Sequence, residues 1–235
     1  MLVLFRLIHK SSTEMNRRIK NIAGKSELIV KIVHKYRHIK AKKKILEKRK
    51  KKERLKIIIG ASGTIQKNWI STERETLDML NPKKWLKILD KSSISCILAE
   101  HVFEHLTKED GQKSVKTCLK FLKEEGNFRI AVPDAFHPSE EYRKCSKPGG
   151  YGAGAMDHKE FYNYQNIKKM LSQFDDYIEI NFLEYYDENG VMHSKNIDEE
   201  KGIIERTIKN RRILPGTNDI YSSLILDITL KKEFN

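Results

Sequence analysis

The sequence predicts an α/β fold: a doubly wound, mostly parallel sheet that carries a basic helical arm at its N-terminus. Three observations predict it. From Leu55 onward, short apolar runs alternate with helix-patterned segments, as strands and their crossovers do. The runs stop at glycine, proline or charged residues, which is typical of strands buried on both faces. The charge, finally, is uneven: residues 1–56 hold 20 Lys and Arg against 4 Glu and no Asp, whereas residues 57–235 hold 26 against 28. The net +14 of the chain therefore belongs to an arm. The division falls into residues 1–54, the arm, and residues 55–235, the domain.

Each element follows in order. Glu27 to Lys56 contains neither Gly nor Pro, and Leu28, Ile32, Tyr36 and Ile39 recur at helical spacing. A long, partly amphipathic helix with a very basic far half is expected, preceded by a short apolar helix near Met1–Ile8. Its stripe needs a partner: the domain, a second copy, or an anionic membrane surface. Leu55–Ile59 is the first strand, ended by Gly60, and Trp69–Glu73 the second. Pro82–Leu89 is a helix with Pro in its first turn. Ile94–Ala99 is the third strand. Thr107 caps a helix expected to run to Glu125, with Gly126 ending it. Phe128–Val132 is the fourth strand, stopped by Pro133. Asn163–Phe174 is a helix, Tyr177–Tyr186 a strand, and Glu188-Asn189-Gly190 a turn that suggests an antiparallel edge. Leu224–Leu230 closes the sheet.

Several function classes are excluded at this level. No apolar run approaches the eighteen or so residues of a membrane span. The opening MLVLFRLIHK is interrupted by Arg6 and Lys10 and lacks a small-residue cleavage site, so it does not read as a signal peptide. Cys96, Cys118 and Cys145 are odd in number and not spaced as metal pairs; a reducing cytoplasm is expected, without disulfides or a zinc site.

Ligands of an open α/β sheet bind at the carboxyl ends of its strands. Gly60-Ala61-Ser62-Gly63 follows the first strand, Glu73 the second, Glu100 to His105 the third, and Pro133 to His137 the fourth. The glycine turn lets the backbone pass close to a ligand. An acid at the next strand end accepts hydrogen bonds from both ribose hydroxyls.

The segments LKIIIGASG…NWISTE, LDMLNPKKW, AEHVFEHLT…FLKEEGNFRIAVPD and PGGYGAGAMDHKEFYNY resemble the class I S-adenosylmethionine-dependent methyltransferases, over roughly residues 55–231. Within them the likeness is to a bacterial group of small methyltransferase-domain proteins. The resemblance implies a Rossmann-like domain and S-adenosylmethionine as cofactor. Gly60, Ala61, Ser62 and Gly63 match the turn around the amino-acid part of the cofactor, and Glu73 the acid that holds the ribose. Leu77 and Asp78 fall at the adenine; Ala99, Glu100 and His101 fall beneath the methionine part. Two departures are visible: Ser62 replaces the usual second glycine, and the spacing to Glu73 leaves little room for the usual first helix.

Methyl transfer asks mainly for proximity and in-line alignment, since the sulfonium is an activated donor. A hydroxyl acceptor also benefits from a general base. His105, Asp134, His137, Asp157 and His158 are the candidates, and Asp157-His158, after the glycine-rich cover, ranks first. Asp134 has an alternative role, bonding backbone amides, and His137 one as a turn residue. His101 and His105 resemble a metal pair, but the Glu104-His105-Leu106 segment reads as a helix start, and no metal is expected. Trp69, Trp85, Tyr162 and Tyr164 fit core packing as well as a cleft.

The expected function is methyl transfer to a small molecule or a cell-surface saccharide precursor, with the arm holding the enzyme peripherally at the inner membrane face. Two alternatives stand beside it. One is an inactive cofactor-binding scaffold. The other is an RNA methyltransferase gripping its substrate with the arm, less expected because residues 57–235 carry no net positive charge.

Overall fold

A computed structural model describes residues 27–214 and 219–234. The short apolar helix expected near Met1–Ile8 lies outside the described residues. Seven strands form one sheet: β1 (Leu55–Ile59), β2 (Ile70–Ser71), β3 (Ile94–Glu100), β4 (Leu122–Val132), β5 (Ile178–Tyr186), β6 (Met192–Ser194) and β7 (Leu224–Leu230), in the order β2-β1-β3-β4-β7-β5-β6. β2, β1, β3 and β4 run parallel. β7 is antiparallel to both β4 and β5, and β6 is the antiparallel edge predicted by the turn at Glu188-Asn189-Gly190. The chain steps from β1 to β2 on one side and to β3 on the other. The strand order therefore reverses between β1 and β3, the place where such sheets bind ligands.

Five α-helices are described: α1 (Glu27–Lys50), α2 (Pro82–Trp85), α3 (Lys108–Phe121), α4 (Glu140–Ser146) and α5 (Tyr164–Leu171). Side chains alternate along the strands. Ile57, Ile59, Ile97, Ala99, Phe128 and Ile130 face a core shared with Val115, Cys118 and Leu119 of α3, Ile167 and Met170 of α5, and Trp85 of α2. Ile58, Cys96, Leu98, Ala131 and Ile225 face the other way, onto Trp69, Leu183 and Ile204. That second face is covered by the segment around residues 197–207. It is pinned by a buried pair: Arg129 donates to both Asp227 carboxylate oxygens at 2.8 Å, and to the carbonyls of Asp198 (2.8 Å) and Gly202.

The Rossmann-like mixed sheet with flanking helices is present as expected, with local differences. Residues 60–69 form turns and no helix, because ten residues are fewer than a helical crossover between parallel strands needs. α1 packs where β1 and β2 meet the first core: Ala41 and Ile45 are buried there, and Lys44 donates to the Trp69 carbonyl at 3.0 Å. α3 stops at Phe121 rather than Glu125, and β4 starts at Leu122 rather than Phe128. Leu122 pairs with Ile94 in the sheet, and the register is recovered by an irregularity before Asn127, where Glu125 adopts a φ of +59°. The helix expected over Pro82–Leu89 is regular only to Trp85 and continues as turns. The helix expected to reach Phe174 ends at Leu171, followed by a 3-10 turn.

Candidate functional site

The glycine turn and the acid predicted to act with it are together at the switch point. Gly60 (φ +61°), Ser62 (φ +45°) and Gly63 (φ +91°) are all left-handed, so the turn folds tightly over the end of β1. A Cβ at Gly60 would sit 2.7 Å from Val102 Cγ2, so only glycine lets the turn lie against the segment after β3. The Ala61 amide donates to the Thr72 carbonyl (3.0 Å) and Thr72 N–H to Ile58 (2.8 Å), which ties the turn to the strand beside it. Ser62 N–H then donates to Glu73 Oε2 at 3.3 Å. Opposite, Arg37 of α1 reaches over the turn: Nη1 is 4.0 Å from Glu73 Oε1.

The acids after β3 are more deeply held. Glu100 Oε1 accepts from the Glu205 amide at 3.2 Å and lies 3.6 Å from Arg206 Nη1. Burial raises its carboxyl, although His101 and Arg206 pull the other way. His101, at a φ of +54°, sets Nδ1 3.0 Å from Glu104 Oε1 and Nε2 3.1 Å from Ser223 Oγ. Ala99 is fully buried near the end of β3. Asp78, expected at the adenine, accepts from the Leu80 amide at 3.0 Å, lies 3.4 Å from Arg74 Nε, and its carbonyl takes the Trp85 Nε1–H at 2.9 Å. Leu77 is buried.

Among the base candidates, the structure brings His105 and His158 together, with ring centroids 4.7 Å apart and edge to face. His158 Nδ1 lies 2.8 Å from the Ser146 carbonyl, so that nitrogen carries the proton and Nε2 keeps its lone pair. Burial lowers the His158 pKa, although the Ser146 carbonyl and Glu104 pull the other way. Asp157, ranked first with it, is exposed. Asp134 takes the alternative role foreseen for it. It is fully buried, Oδ1 accepts from Phe136 N–H at 2.9 Å and Oδ2 from Tyr186 N–H at 2.7 Å. Both oxygens are thus committed to backbone amides. His137 is buried as well, stacked on Tyr142 at 3.9 Å, and burial lowers its pKa to about 4. Trp69, Trp85 and Tyr162 are core residues.

Sequence reasoning missed Glu104 as a site residue. Its carboxylate is 1% exposed; Oε1 has His101 Nδ1 at 3.0 Å, and Oε2 has no hydrogen-bond partner among the described residues. A charged residue directly before His105 was the available signal. The loop that completes the surroundings is anchored on the same residue: Lys159 N–H donates to the Glu104 carbonyl at 2.7 Å.

No family model matches the sequence, and no curated protein does either. Solved structures with a similar course of chain are S-adenosylmethionine-dependent methyltransferases, the family the sequence resembles. One from Archaeoglobus fulgidus is 18% identical over 76% of this chain and 86% of that chain, with a TM-score of 0.41. One from Thermotoga maritima is 10% identical over 86% and 92%, with a TM-score of 0.42. The magnesium protoporphyrin IX methyltransferase of Synechocystis PCC 6803, with bound S-adenosylhomocysteine, is 10% identical over 99% and 100%, with a TM-score of 0.40. The strand order, rather than these superpositions, establishes the fold.

Proposed function

We propose that the chain is an S-adenosylmethionine-dependent methyltransferase acting on a small molecule or a saccharide precursor. The observation that carries this reading is the meeting of the glycine turn with Glu73 at the switch point, through the Ser62 N–H···Oε2 contact at 3.3 Å. The residues fit the cofactor. A turn with left-handed glycines at both ends can wrap an amino-acid group, and a half-buried carboxylate beside it can accept two ribose hydroxyls. Bound there, S-adenosylmethionine would supply an activated methyl group on its sulfonium. Glu73 holds the ribose, and Ala99 and Glu100 lie beneath the methionine part, so that the chain supplies proximity and alignment.

Calorimetric titration of the protein with S-adenosylmethionine and S-adenosylhomocysteine, beside Glu73→Ala, tests the cofactor site. Micromolar binding by the wild type and at least about a tenfold loss in the variant are expected, since about 1.4 kcal/mol for two charge-assisted hydrogen bonds already gives that factor. Absence of binding by the wild type sinks the reading in favour of the scaffold. One observation favours that alternative: Arg37 and Arg206 already face the two acids that a cofactor would use.

The arm takes an anionic membrane surface as its partner. The described part of its stripe faces away from the domain: Ile32, Tyr36 and Ile39 are 43%, 40% and 55% exposed, while Ala41 and Ile45 on the opposite side are buried. Lysines 31, 35, 40, 42 and 43 surround the outward residues, the combination that lays a helix in the headgroup region. No helix among the described residues is long and apolar enough to cross a membrane. Co-sedimentation with phosphatidylserine vesicles, weak with phosphatidylcholine and lost in an Ile32→Asp, Ile39→Asp variant, is expected. Equal sedimentation with both lipids, or none, refutes it. Salt-sensitive RNA binding lost in the same variant would favour the RNA reading.

A further inference from the structure

Glu104, His105 and His158 form a compact group outside the glycine turn and Glu73. Their ligating atoms, one carboxylate oxygen and one ring nitrogen from each histidine, all lie within 4.8 Å of one another. Three features of the group are those of a metal centre. Two imidazoles and a carboxylate are a common set for a divalent transition ion that keeps a coordination position open. The Glu104 carboxylate is buried with only His101 Nδ1 beside Oε1, at 3.0 Å, and with Oε2 lacking a hydrogen-bond partner among the described residues, a costly state that a bound cation would relieve. The third is the support behind one ligand. His158 gives its Nδ1–H to the Ser146 carbonyl at 2.8 Å, which leaves the lone pair on Nε2, the arrangement that fixes the tautomer of a metal-ligating histidine.

We infer that Glu104, His105 and His158 bind a divalent transition-metal ion of the zinc class, with the remaining coordination position open to water or an acceptor oxygen. Bonds of about 2.1 Å in a tetrahedron put ligand atoms about 3.4 Å apart, so the group closes on the ion by roughly an ångström. The parts that can yield are at hand. His105 and His158 are half-buried. Gly154 (φ +86°) starts the turn that carries His158, and a Cβ there would lie 3.6 Å from His105 Cε1. His101, 3.0 Å from Glu104 Oε1, stands behind the carboxylate and steadies it. An ion at this place would lower the pKa of its bound water or acceptor hydroxyl, so that the metal-bound oxygen gives up its proton without a free imidazole base. The inference rests on these three side chains alone and holds whether or not the crevice at β1 takes a cofactor.

Zinc alone is the probe, titrated calorimetrically into the chelator-treated full chain. Cobalt replaces it in a parallel absorption measurement of coordination geometry. One equivalent of zinc is expected to bind, with a cobalt visible band of low-coordinate intensity. Glu104→Gln, which keeps the buried volume, and His158→Ala each weaken binding by about 100-fold or more, at least what loss of a supporting group costs. His193→Ala, at an exposed histidine paired with Asp187 (2.9 Å), leaves it unchanged. Circular dichroism of the metal-free variants checks that they are folded; should Glu104→Gln fail, His105→Asn at a half-buried ring replaces it. Absence of one-equivalent binding overturns the inference. So does binding that survives His158→Ala, or that is lost on His193→Ala.

Discussion

At the scale of single residues, Glu184 shows how burial writes a pH dependence into the fold. It is 1% exposed, its Oε1 accepts the Ile208 amide at 2.9 Å, and burial raises its pKa to about 7. Asp134 moves the same way, to about 6. A carboxyl whose folded pKa lies above its unfolded value of about 4 binds its proton more tightly when folded. Its contribution is full below that unfolded value and is lost as pH rises through the folded one. His137, lowered to about 4, does the reverse: its contribution is present above about 6.5 and lost as pH falls toward 4. In denaturant titrations at pH 5 and pH 8, the stability of wild type relative to Glu184→Gln is therefore expected to fall as pH rises. An equal difference at both values contradicts the assignment. Asp134 stood out in the sequence because it follows a strand, but its role did not. One of its two amide partners is Tyr186, 52 positions on. The same holds for Glu104 and His158, which meet only because the chain folds a glycine-rich loop back over the end of β3.

Among the elements, legibility depended on what ended each one. β1 and β7 have the bounds read from the sequence, since a mostly apolar run gives way there to Gly60 on one side and Lys231 on the other. The start of α3 was equally legible: the Thr107 hydroxyl accepts the Asp110 amide at 3.2 Å, the contact its spacing announces. Its end was not, because Leu122 has helical spacing from Cys118 but is claimed by Ile94 across the sheet. Pairing to a distant strand overrides local propensity, and nothing near Leu122 records it. α4 went unread although Ser139, followed by Glu140 and Glu141, is a helix start in sequence; its Oγ accepts the Tyr142 amide at 3.1 Å. In α1 the apolar stripe was visible as a pattern of spacing. The structure adds that Ala41 and Ile45, on the reverse side, are the residues docked on the domain.

For the whole molecule, the sheet is held together most conspicuously where its helices are absent. Arg129 and Asp227 are buried on adjacent strands, and Asn127 adds a bond to Asp227 Oδ1 at 3.1 Å. Together with the carbonyls of Asp198 and Gly202, this group fastens the covering segment to the sheet. Removing one partner leaves the other charge buried, so Arg129→Met is expected to lower the unfolding free energy by about 3–5 kcal/mol. Adding Asp227→Leu should return much of that, since well-packed apolar pairs often match buried ion pairs. A urea melt of both variants measures this; a single variant as stable as wild type refutes it. The order of the strands was not written in any segment, because it is a property of pairings between them. The polar clusters at the strand ends were, since each is local to the residues that follow one strand. The short connection from β1 to β2 has a further effect on what can be held there. A helix following the glycine turn would direct its positive pole at the ligand, as dinucleotide-binding sheets do for pyrophosphate. Residues 60–69 offer no such pole, and Glu73 stands beside the turn instead, 3.3 Å from the Ser62 amide. A phosphate placed at this turn would gain no helix-dipole support, a demand that a nucleoside without phosphate does not make.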